Sequence, residues 1–304
     1  MNNWRSRLLC TASSILLLVA AANATGVAKL KVTFAVEQVP DTQVTKLFGI
    51  NNAGVVVGLY QKFDYSVYGF IKYPNKPLVN IVDPNALPNE TVPNGMNLNG
   101  PVSVVGWYAP SSGDHYIEGF LYKDGEYTNI PGPSGSTASL AFGINDLGSI
   151  VGAYADANGA VHGFLLENGA YKTLDVPGPA VFATFATGVN DKGEIVLMWL
   201  DQFRNGNSAL YRAGVYTNIN VPYAAQSEYP SINSHGDICL QWLDAIGVIH
   251  GALRHDGKYY EFDYPTETGT DAGGINDVGN MVGYTISSTL DTQFGFKATY
   301  QLPF

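Results

Sequence analysis

Three charged residues, Lys46, Glu228 and Asp271, occupy one position of a repeated unit, five residues before an Asn-x-x-Gly motif. If the repeated units are arranged around a central channel and these side chains face it, two carboxylates and an ammonium group can bind a cation or a polar ligand there. They can also act as acid and base where burial separates their pKa values. Solvated ends of loops are the simpler interpretation of the pattern. The sequence therefore offers these residues as its catalytic candidates and assigns none of them a catalytic role.

Aromatic residues end the second predicted strand of most units, and they suit a different chemistry. Trp199 and Trp242 begin the sequence Trp-Leu-Asp, which ends at Asp201 and Asp244, and Tyr154 holds the same position in the third unit. An aromatic face stacks on a sugar ring while a carboxylate accepts hydrogen bonds from its hydroxyl groups. Packing between neighbouring sheets explains the rings equally well. We predict these five residues as ligand-binding candidates.

Histidine recurs at one position of the third predicted strand, as His162 and His250, and both are further ligand-binding candidates. They belong to units that are not neighbours, so a shared metal ion would need a long reach, and structural histidines are the simpler interpretation. The stretch Asp-Ala-Asn-Gly at 156–159 resembles half of a calcium loop without its later carboxylates, which favours a hairpin. The sequence therefore predicts no cofactor and no metal site, with a structural calcium ion as the alternative.

These candidates are positioned by a unit that recurs along the whole chain. An apolar stretch ends in Asn-x-x-Gly, and the asparagines are separated by 46, 48, 45, 43 and 43 residues. An Asn side chain bonds nearby backbone and Gly accepts the positive φ of a tight turn, so each motif predicts a β-turn. A residue present in every unit most simply serves the fold, and we predict a structural role for all of them. The turn asparagines that define repeats one to six are Asn51, Asn97, Asn145, Asn190, Asn233 and Asn276.

Each repeat predicts short strands and no helix. β-Branched and aromatic residues alternate with Gly, Asn, Asp and Pro, and four strands in about 45 residues is the size of a propeller blade. The sixth repeat stops before a fourth strand, whereas residues 31–40 have the fourth-strand pattern ahead of the first repeat. We therefore predict an all-β fold: a six-bladed β-propeller of four-stranded antiparallel blades, closed by the N-terminal strand pairing into the last blade. An open solenoid is the alternative.

The clearest copy of the repeat runs from Gly143 to Tyr154 as Gly-Ile-Asn-Asp-Leu-Gly-Ser-Ile-Val-Gly-Ala-Tyr and is followed by His-Gly-Phe at 162–164. This pattern resembles the HAF-repeat family of bacterial extracellular proteins, and the resemblance covers nearly all of residues 31–300. It implies secretion and a propeller-like shape, and it implies no activity. Repeats four and five depart from the pattern, since Leu197 and Leu240 replace the second-strand glycine.

Residues 1–24 predict a secretory signal peptide, because Arg5 and Arg7 precede an apolar run and the small residues up to Ala24 suit cleavage. Residues 25–304 would then form a single secreted domain, extracellular or periplasmic. Cys239 is the only cysteine of that domain, so we predict a buried thiol and no disulfide.

Composition narrows the range of partners. A net charge of −10 opposes binding to nucleic acid, and no further stretch is long and apolar enough to predict a membrane span. We predict a monomer that is a non-enzymatic binding or scaffold module for an extracellular carbohydrate, small ligand or protein. The alternative is a secreted hydrolase or lyase with acidic residues at the channel mouth.

Overall fold

The computed structural model describes residues 27–111, 116–178, 180–287 and 292–302, and within these ranges every regular element is a β-strand. The predicted all-β class is confirmed. The predicted signal peptide, residues 1–24 with cleavage near Ala24, lies outside the described residues. The strands are β1 (Ala28–Lys29), β2 (Lys31–Glu37), β3 (Val44–Ile50), β4 (Val56–Gln61), β5 (Val67–Lys72), β6 (Leu78–Ile81), β7 (Ala86–Met96), β8 (Ser103–Pro110), β9 (Glu118–Lys123), β10 (Glu126–Ile130), β11 (Ala138–Ile144), β12 (Ile150–Ala155), β13 (Val161–Glu167), β14 (Ala170–Leu174), β15 (Val181–Val189), β16 (Ile195–Asp201), β17 (Gly206–Arg212), β18 (Val215–Asn218), β19 (Gln226–Ile232), β20 (Ile238–Leu243), β21 (Ile249–His255), β22 (Lys258–Phe262), β23 (Gly269–Ile275), β24 (Asn280–Ile286) and β25 (Gly295–Gln301).

Successive strands of each repeat pair antiparallel, but the sheets do not all coincide with single repeats. Repeats one and two form the four-stranded sheets β3–β6 and β7–β10. Repeats three and four, β11–β14 and β15–β18, are joined into one eight-stranded sheet by a single parallel bridge between Val161 and Ala183. In repeat five, β19–β22 gain a fifth strand, because β1 adds in parallel to β22. The expectation of uniform four-stranded sheets is therefore met only in part.

The N-terminal strand completes the last repeat. β2 pairs antiparallel with β25 from Lys31 opposite Gln301 to Glu37 opposite Gly295, so it supplies the fourth strand beside β23–β25. Residues 31–37 thus pair as the sequence predicted. Side chains reinforce the backbone pairing, since the Phe34 ring lies edge-on to another ring of the same sheet.

The turn asparagines have the structural role that their repetition predicts. Asn145 Oδ1 accepts the backbone N–H of Ser149 at 2.8 Å, which closes its own turn, and the following Gly148 has a φ of +86°. The other end of the same amide donates to a carbonyl of the next repeat. This second bond runs from Asn145 to Asn190, Asn190 to Asn233, Asn233 to Asn276 and Asn276 to Asn51.

The core lies between neighbouring sheets. Val105 and Ile130 of repeat two pack with Ala141 and Phe164 of repeat three, and Phe164 is fully buried. Small residues before each turn allow this approach: a Cβ at Gly95 would lie 2.2 Å from a backbone oxygen of the next repeat. Burial of each large apolar side chain contributes roughly 1.5–3 kcal/mol. Cys239 belongs to this core and is a buried free thiol, as predicted.

The antiparallel order gives the molecule two distinct ends. The loops between second and third strands, and the linkers from each fourth strand to the next repeat, lie at one end, which we call the loop face. The Asn-x-x-Gly turns lie at the other end, the turn face. No helix long and apolar enough to cross a bilayer occurs among the described residues.

Candidate functional site

The three charged candidates lie near the loop-face end of the first strand of their repeats. Lys46 is in β3, Glu228 in β19 and Asp271 in β23, and each is the third residue of its strand. Directly opposite them on the second strand, Gln241 faces Glu228 and Tyr284 faces Asp271. Opposed residues of antiparallel strands project from the same face of the sheet. Repeats five and six therefore each carry a polar cross-strand pair at this level.

Tyr284 connects Lys46 with Asp271. The Lys46 Nζ lies 4.3 Å from the centre of the Tyr284 ring, a distance at which an ammonium group and an aromatic face attract each other. The Tyr284 hydroxyl forms a hydrogen-bonding interaction with the Asp271 carboxylate. Asp271 is 8% exposed. Repeats one and six are thus joined by an ammonium group, a phenol and a buried carboxyl group.

Glu228 lies between the sheets of repeats four and five. Gln241 Nε2 donates a hydrogen bond of 3.1 Å to Glu228 Oε2. A Cβ at Gly206 would lie 2.2 Å from Glu228 Oε1, so the missing side chain of this β17 residue makes room for the carboxylate. Both Glu228 and Gln241 are buried, and Gln241 Oε1 has no hydrogen-bond partner among the described residues.

The three candidates do not form one hydrogen-bonded centre. Within the part of the chain that the structure describes, no ion pair includes Lys46, Glu228 or Asp271. They influence one another through charge, because the negative charge of Asp271 acts on both of the others. The three side chains therefore interact through their charges and not through direct hydrogen bonds.

Burial shifts the proton equilibria of all three groups. Burial raises the pKa of Asp271 to about 6, although the Tyr284 hydroxyl and the charge of Lys46 act in the opposite direction. Burial also raises the pKa of Glu228, which the hydrogen bond from Gln241 partly offsets. Burial lowers the pKa of Lys46 against the attraction of Asp271. A carboxyl group with a pKa of about 6, as at Asp271, can transfer protons near neutral pH.

The three rings of the predicted aromatic arc differ in burial, and only that of Trp242 is fully buried. Trp242 is 1% exposed, and its ring stacks on His250 with 4.6 Å between ring centres. Tyr154 stacks in the same way on His162, at 5.2 Å. Trp199 is half-buried at the end of β16. The rings of Trp242 and Tyr154 thus face a histidine of the neighbouring strand.

The acidic candidates of the arc hold hairpin loops in shape. Asp201 Oδ1 accepts the backbone N–H groups of Phe203 and Asn205 at 2.8 and 2.9 Å. Asp244 Oδ1 accepts those of Ile246 and Val248, both at 2.9 Å. The stretch at 156–159 forms the same kind of hairpin between β12 and β13. Each carboxylate therefore stabilises the loop that contains it.

Both histidine candidates have a carboxylate partner that the sequence analysis missed. His162 Nδ1 lies 2.9 Å from Asp175, and His250 Nδ1 lies 2.8 Å from Asp263. The partner follows each histidine by 13 residues, just after the fourth strand. That equal spacing is a signal that the sequence contains. In repeat five a buried glutamate, Glu261, lies beside the same imidazole.

The exposed rings of the loop face were also missed from sequence. Six aromatic side chains of the described residues are exposed: five lie in second-to-third-strand loops or inter-repeat linkers, and the sixth is the second residue of β15, at its loop-face end. Large aromatic residues in turns rather than strands are the sequence signal that could have identified the first five. They are Phe63, Tyr65, Tyr116, Phe182, Phe203 and Tyr223.

In repeat four, two of these rings accompany an arginine. The Arg204 guanidinium lies 4.5 Å from the centre of the Phe182 ring, and Phe203, its chain neighbour, is 76% exposed. Arg204 has a φ of +68°, and its backbone N–H donates to the Asp201 carbonyl oxygen at 2.9 Å. The hairpin therefore holds aromatic surface and guanidinium donors side by side in solvent.

Solved structures with the same arrangement of sheets align with most of the chain. AofleA from Arthrobotrys oligospora aligns with a TM-score of 0.54 and 14% identity, over 88% of this chain and 86% of that one. A mutant of the Aleuria aurantia lectin in complex with alpha-methyl-L-fucoside aligns with a TM-score of 0.51 and 12% identity, over 88% of this chain and 96% of that one. TolB from Acinetobacter baumannii aligns with a TM-score of 0.53 and 10% identity, over 81% of this chain and 63% of that one.

The chain folds as a β-propeller. Identities of 10–14% relate the folds alone. No protein-family model matches the sequence, and no curated protein matches it by sequence.

Proposed function

We propose that the protein is a secreted HAF-repeat propeller whose loop face binds an extracellular carbohydrate without turning it over. The supporting observation is the distribution of exposed rings: the six exposed aromatic side chains of the described residues all lie on the loop face. Exposed aromatic surface concentrated on one face is characteristic of a binding surface. A sugar presents C–H groups that pack on such rings and hydroxyl groups that bond the polar atoms between them.

We further propose that the propeller is a closed ring of six blades, one for each repeat. Support comes from hydrogen bonds between the last repeat and the first. Asn276 Nδ2 donates to the Asn51 carbonyl oxygen at 2.9 Å, and the Asp277 N–H donates to Asn52 Oδ1 at 2.8 Å. The single bridge that joins repeats three and four leaves each as its own antiparallel run. A closed ring gathers on one rim the exposed rings of repeats one, two and four and of the linker into repeat five.

Repeat four offers the best-defined place for a sugar. Phe182 and Phe203 supply apolar surface, and the guanidinium of Arg204 supplies hydrogen-bond donors beside it. A lectin of the same fold was solved in complex with alpha-methyl-L-fucoside, which makes neutral sugars a reasonable first group of probes. We expect the ring faces of Phe182 and Phe203 to supply most of the binding free energy.

A glycan array probed with the mature protein tests the proposal directly. Phe203→Ala should weaken binding to the preferred glycan at least tenfold, about 1.4 kcal/mol, because it removes an exposed ring without disturbing the core. Leu147→Ala is a matched control, because Leu147 is 75% exposed but lies in a turn on the opposite face. Absence of binding to any glycan would contradict the proposal. N-terminal sequencing of exported protein would test secretion, with Thr25 expected as the first residue.

Acid–base catalysis is the second candidate function, and one observation favours it. A carboxyl group with a pKa of about 6 can accept or donate a proton at neutral pH, and Asp271 is such a group beside Tyr284 and Lys46. If the protein is a hydrolase or lyase, we expect it to turn over polysaccharides or lactones. Asp271→Asn should then reduce the turnover rate at least a hundredfold. If the Asp271→Asn variant kept the wild-type turnover rate, Asp271 would have no role in the reaction.

A further inference from the structure

Three potential metal ligands of repeat five meet on the loop face. His250 lies at the start of β21, Glu261 near the end of β22, and Asp263 directly after β22. One ligand atom of each lies within 4.8 Å of the other two. His250 Nδ1 is 2.8 Å from Asp263 Oδ1 and 4.0 Å from Glu261 Oε1. We propose that these three side chains form a binding site for a divalent transition-metal ion.

The ligand types select the class of metal. One imidazole and two carboxylates suit Zn²⁺ or Mn²⁺, whereas Ca²⁺ takes oxygen ligands throughout. Zinc binds these groups at about 2.0–2.2 Å, so ligand atoms around it lie roughly 3–4 Å apart. The present separations require only small side-chain movements to reach that geometry.

Burial sets the surroundings of the cluster. Glu261 is 5% exposed, and its carboxylate requires a positive partner, which is Lys29 in this structure and would be the metal ion in the loaded site. Trp242 stacks on His250 and fixes the imidazole plane, while its own Nε1–H is buried without an acceptor among the residues described. The stacked indole therefore limits how far the imidazole can turn away from the two carboxylates.

Lys29 contacts the same two carboxylates. Its Nζ forms ion pairs with Glu261 and, at 3.1 Å, with Asp263. Lys29 belongs to β1, a strand of two exposed residues, and its side chain is 69% exposed. The ammonium group therefore competes with a metal ion for the carboxylates and can move into solvent when the ion binds. Metal binding at this site would therefore replace the Lys29 ammonium group by the metal ion.

Repeat three provides a natural control within the same molecule. It has the same histidine and aspartate, with His162 Nδ1 2.9 Å from Asp175, and the same stacked aromatic ring. The fourth-strand position that holds Glu261 in repeat five holds Thr173 there. Repeat three is therefore one carboxylate short, and we expect it to bind no transition metal.

Isothermal titration of ZnCl₂ into untagged mature protein at neutral pH tests the site, with MnCl₂ and CaCl₂ for comparison. We expect one Zn²⁺ per chain, bound at least tenfold more tightly by Lys29→Met than by the wild type. His250→Asn and, independently, Asp263→Asn should abolish the binding in the Lys29→Met background. His162→Asn should leave it unchanged. Far-UV circular dichroism of each variant verifies the fold.

The outcomes are distinguishable. Zinc binding that survives both His250→Asn and Asp263→Asn, or that His162→Asn removes, would place the ion elsewhere and overturn the site. Equal affinity in the wild type and Lys29→Met would overturn the competition. Absence of stoichiometric binding in a folded Lys29→Met protein would overturn the proposal altogether. Each of these results is independent of whether the loop face binds a glycan.

Discussion

Asp271 illustrates how a position within a repeat decides the chemistry of a side chain. The equivalent position of repeat three holds Leu140, which is 2% exposed, so the fold places Asp271 where other repeats bury hydrocarbon. A buried carboxyl group avoids much of the free-energy cost of its charge by taking up a proton. The folded protein therefore binds this proton with a pKa of about 6, against 3.8 for the ordinary carboxyl group.

We expect Asp271→Asn to remove a defined pH dependence of stability. Stabilisation from the protonated group is fully present below pH 3.8 and is lost as the pH rises through 6. The complete effect is about 3 kcal/mol, and about half of it falls between pH 5 and pH 8. Urea unfolding at these two pH values should show the variant gaining about 1.5 kcal/mol over the wild type at the higher pH. The exposed Asp41→Asn variant should show no such gain, and a gap that does not change with pH would contradict the burial argument.

At the scale of elements, β2 is the described strand whose partner lies farthest away along the chain. It precedes the first repeat but pairs with β25, more than 250 residues later, along its whole length. Phe34 anchors it, with ring centres 4.9 Å from Tyr264 and 5.3 Å from Phe296. Tyr264 follows the last strand of repeat five and Phe296 lies in repeat six, so the Phe34 side chain of β2 contacts both repeats.

Phe34→Ala should therefore destabilise the whole protein by about 2–3 kcal/mol, because it removes a partly buried ring from a packed cluster. Guanidinium unfolding followed by tryptophan fluorescence would measure the loss. Val36→Ala is the matched control, because Val36 lies on the same strand but is 55% exposed, and it should change stability by less than about 0.5 kcal/mol. Equal losses in the two variants would show that Phe34 does not anchor β2.

The sequence and the structure agree where local chemistry or the repeat itself decides, and they differ where contacts between strands decide. Turns and strands follow from Asn, Gly and alternating apolar residues, which act over a few positions, and the pairing of residues 31–37 follows from the fourth strand that the sixth repeat lacks. Burial of Trp242 depends on His250 in the neighbouring strand, and the hairpin role of Asp201 depends on a loop whose conformation the motif alone does not reveal. Aromatic residues of the repeat therefore fill the interior, whereas the exposed rings come from variable loops such as that of Phe203.

At the scale of the whole molecule, β2 covers the edge of β25 in the sheet of the last repeat. Deleting residues 25–37 removes the strand that pairs with β25 and leaves a full row of backbone donors and acceptors unpaired. We expect this truncation to associate through β25, seen as a concentration-dependent rise in mass by light scattering after size-exclusion chromatography, while the mature wild type stays a monomer. Deleting only residues 25–29 is the control, because it removes β1 from a sheet that keeps β19–β22, and that protein should stay monomeric. A monomeric, folded chain without β2 would mean that the hydrogen bond from Asn276 to Asn51 and the packing beneath it hold the first and last repeats together without the strand.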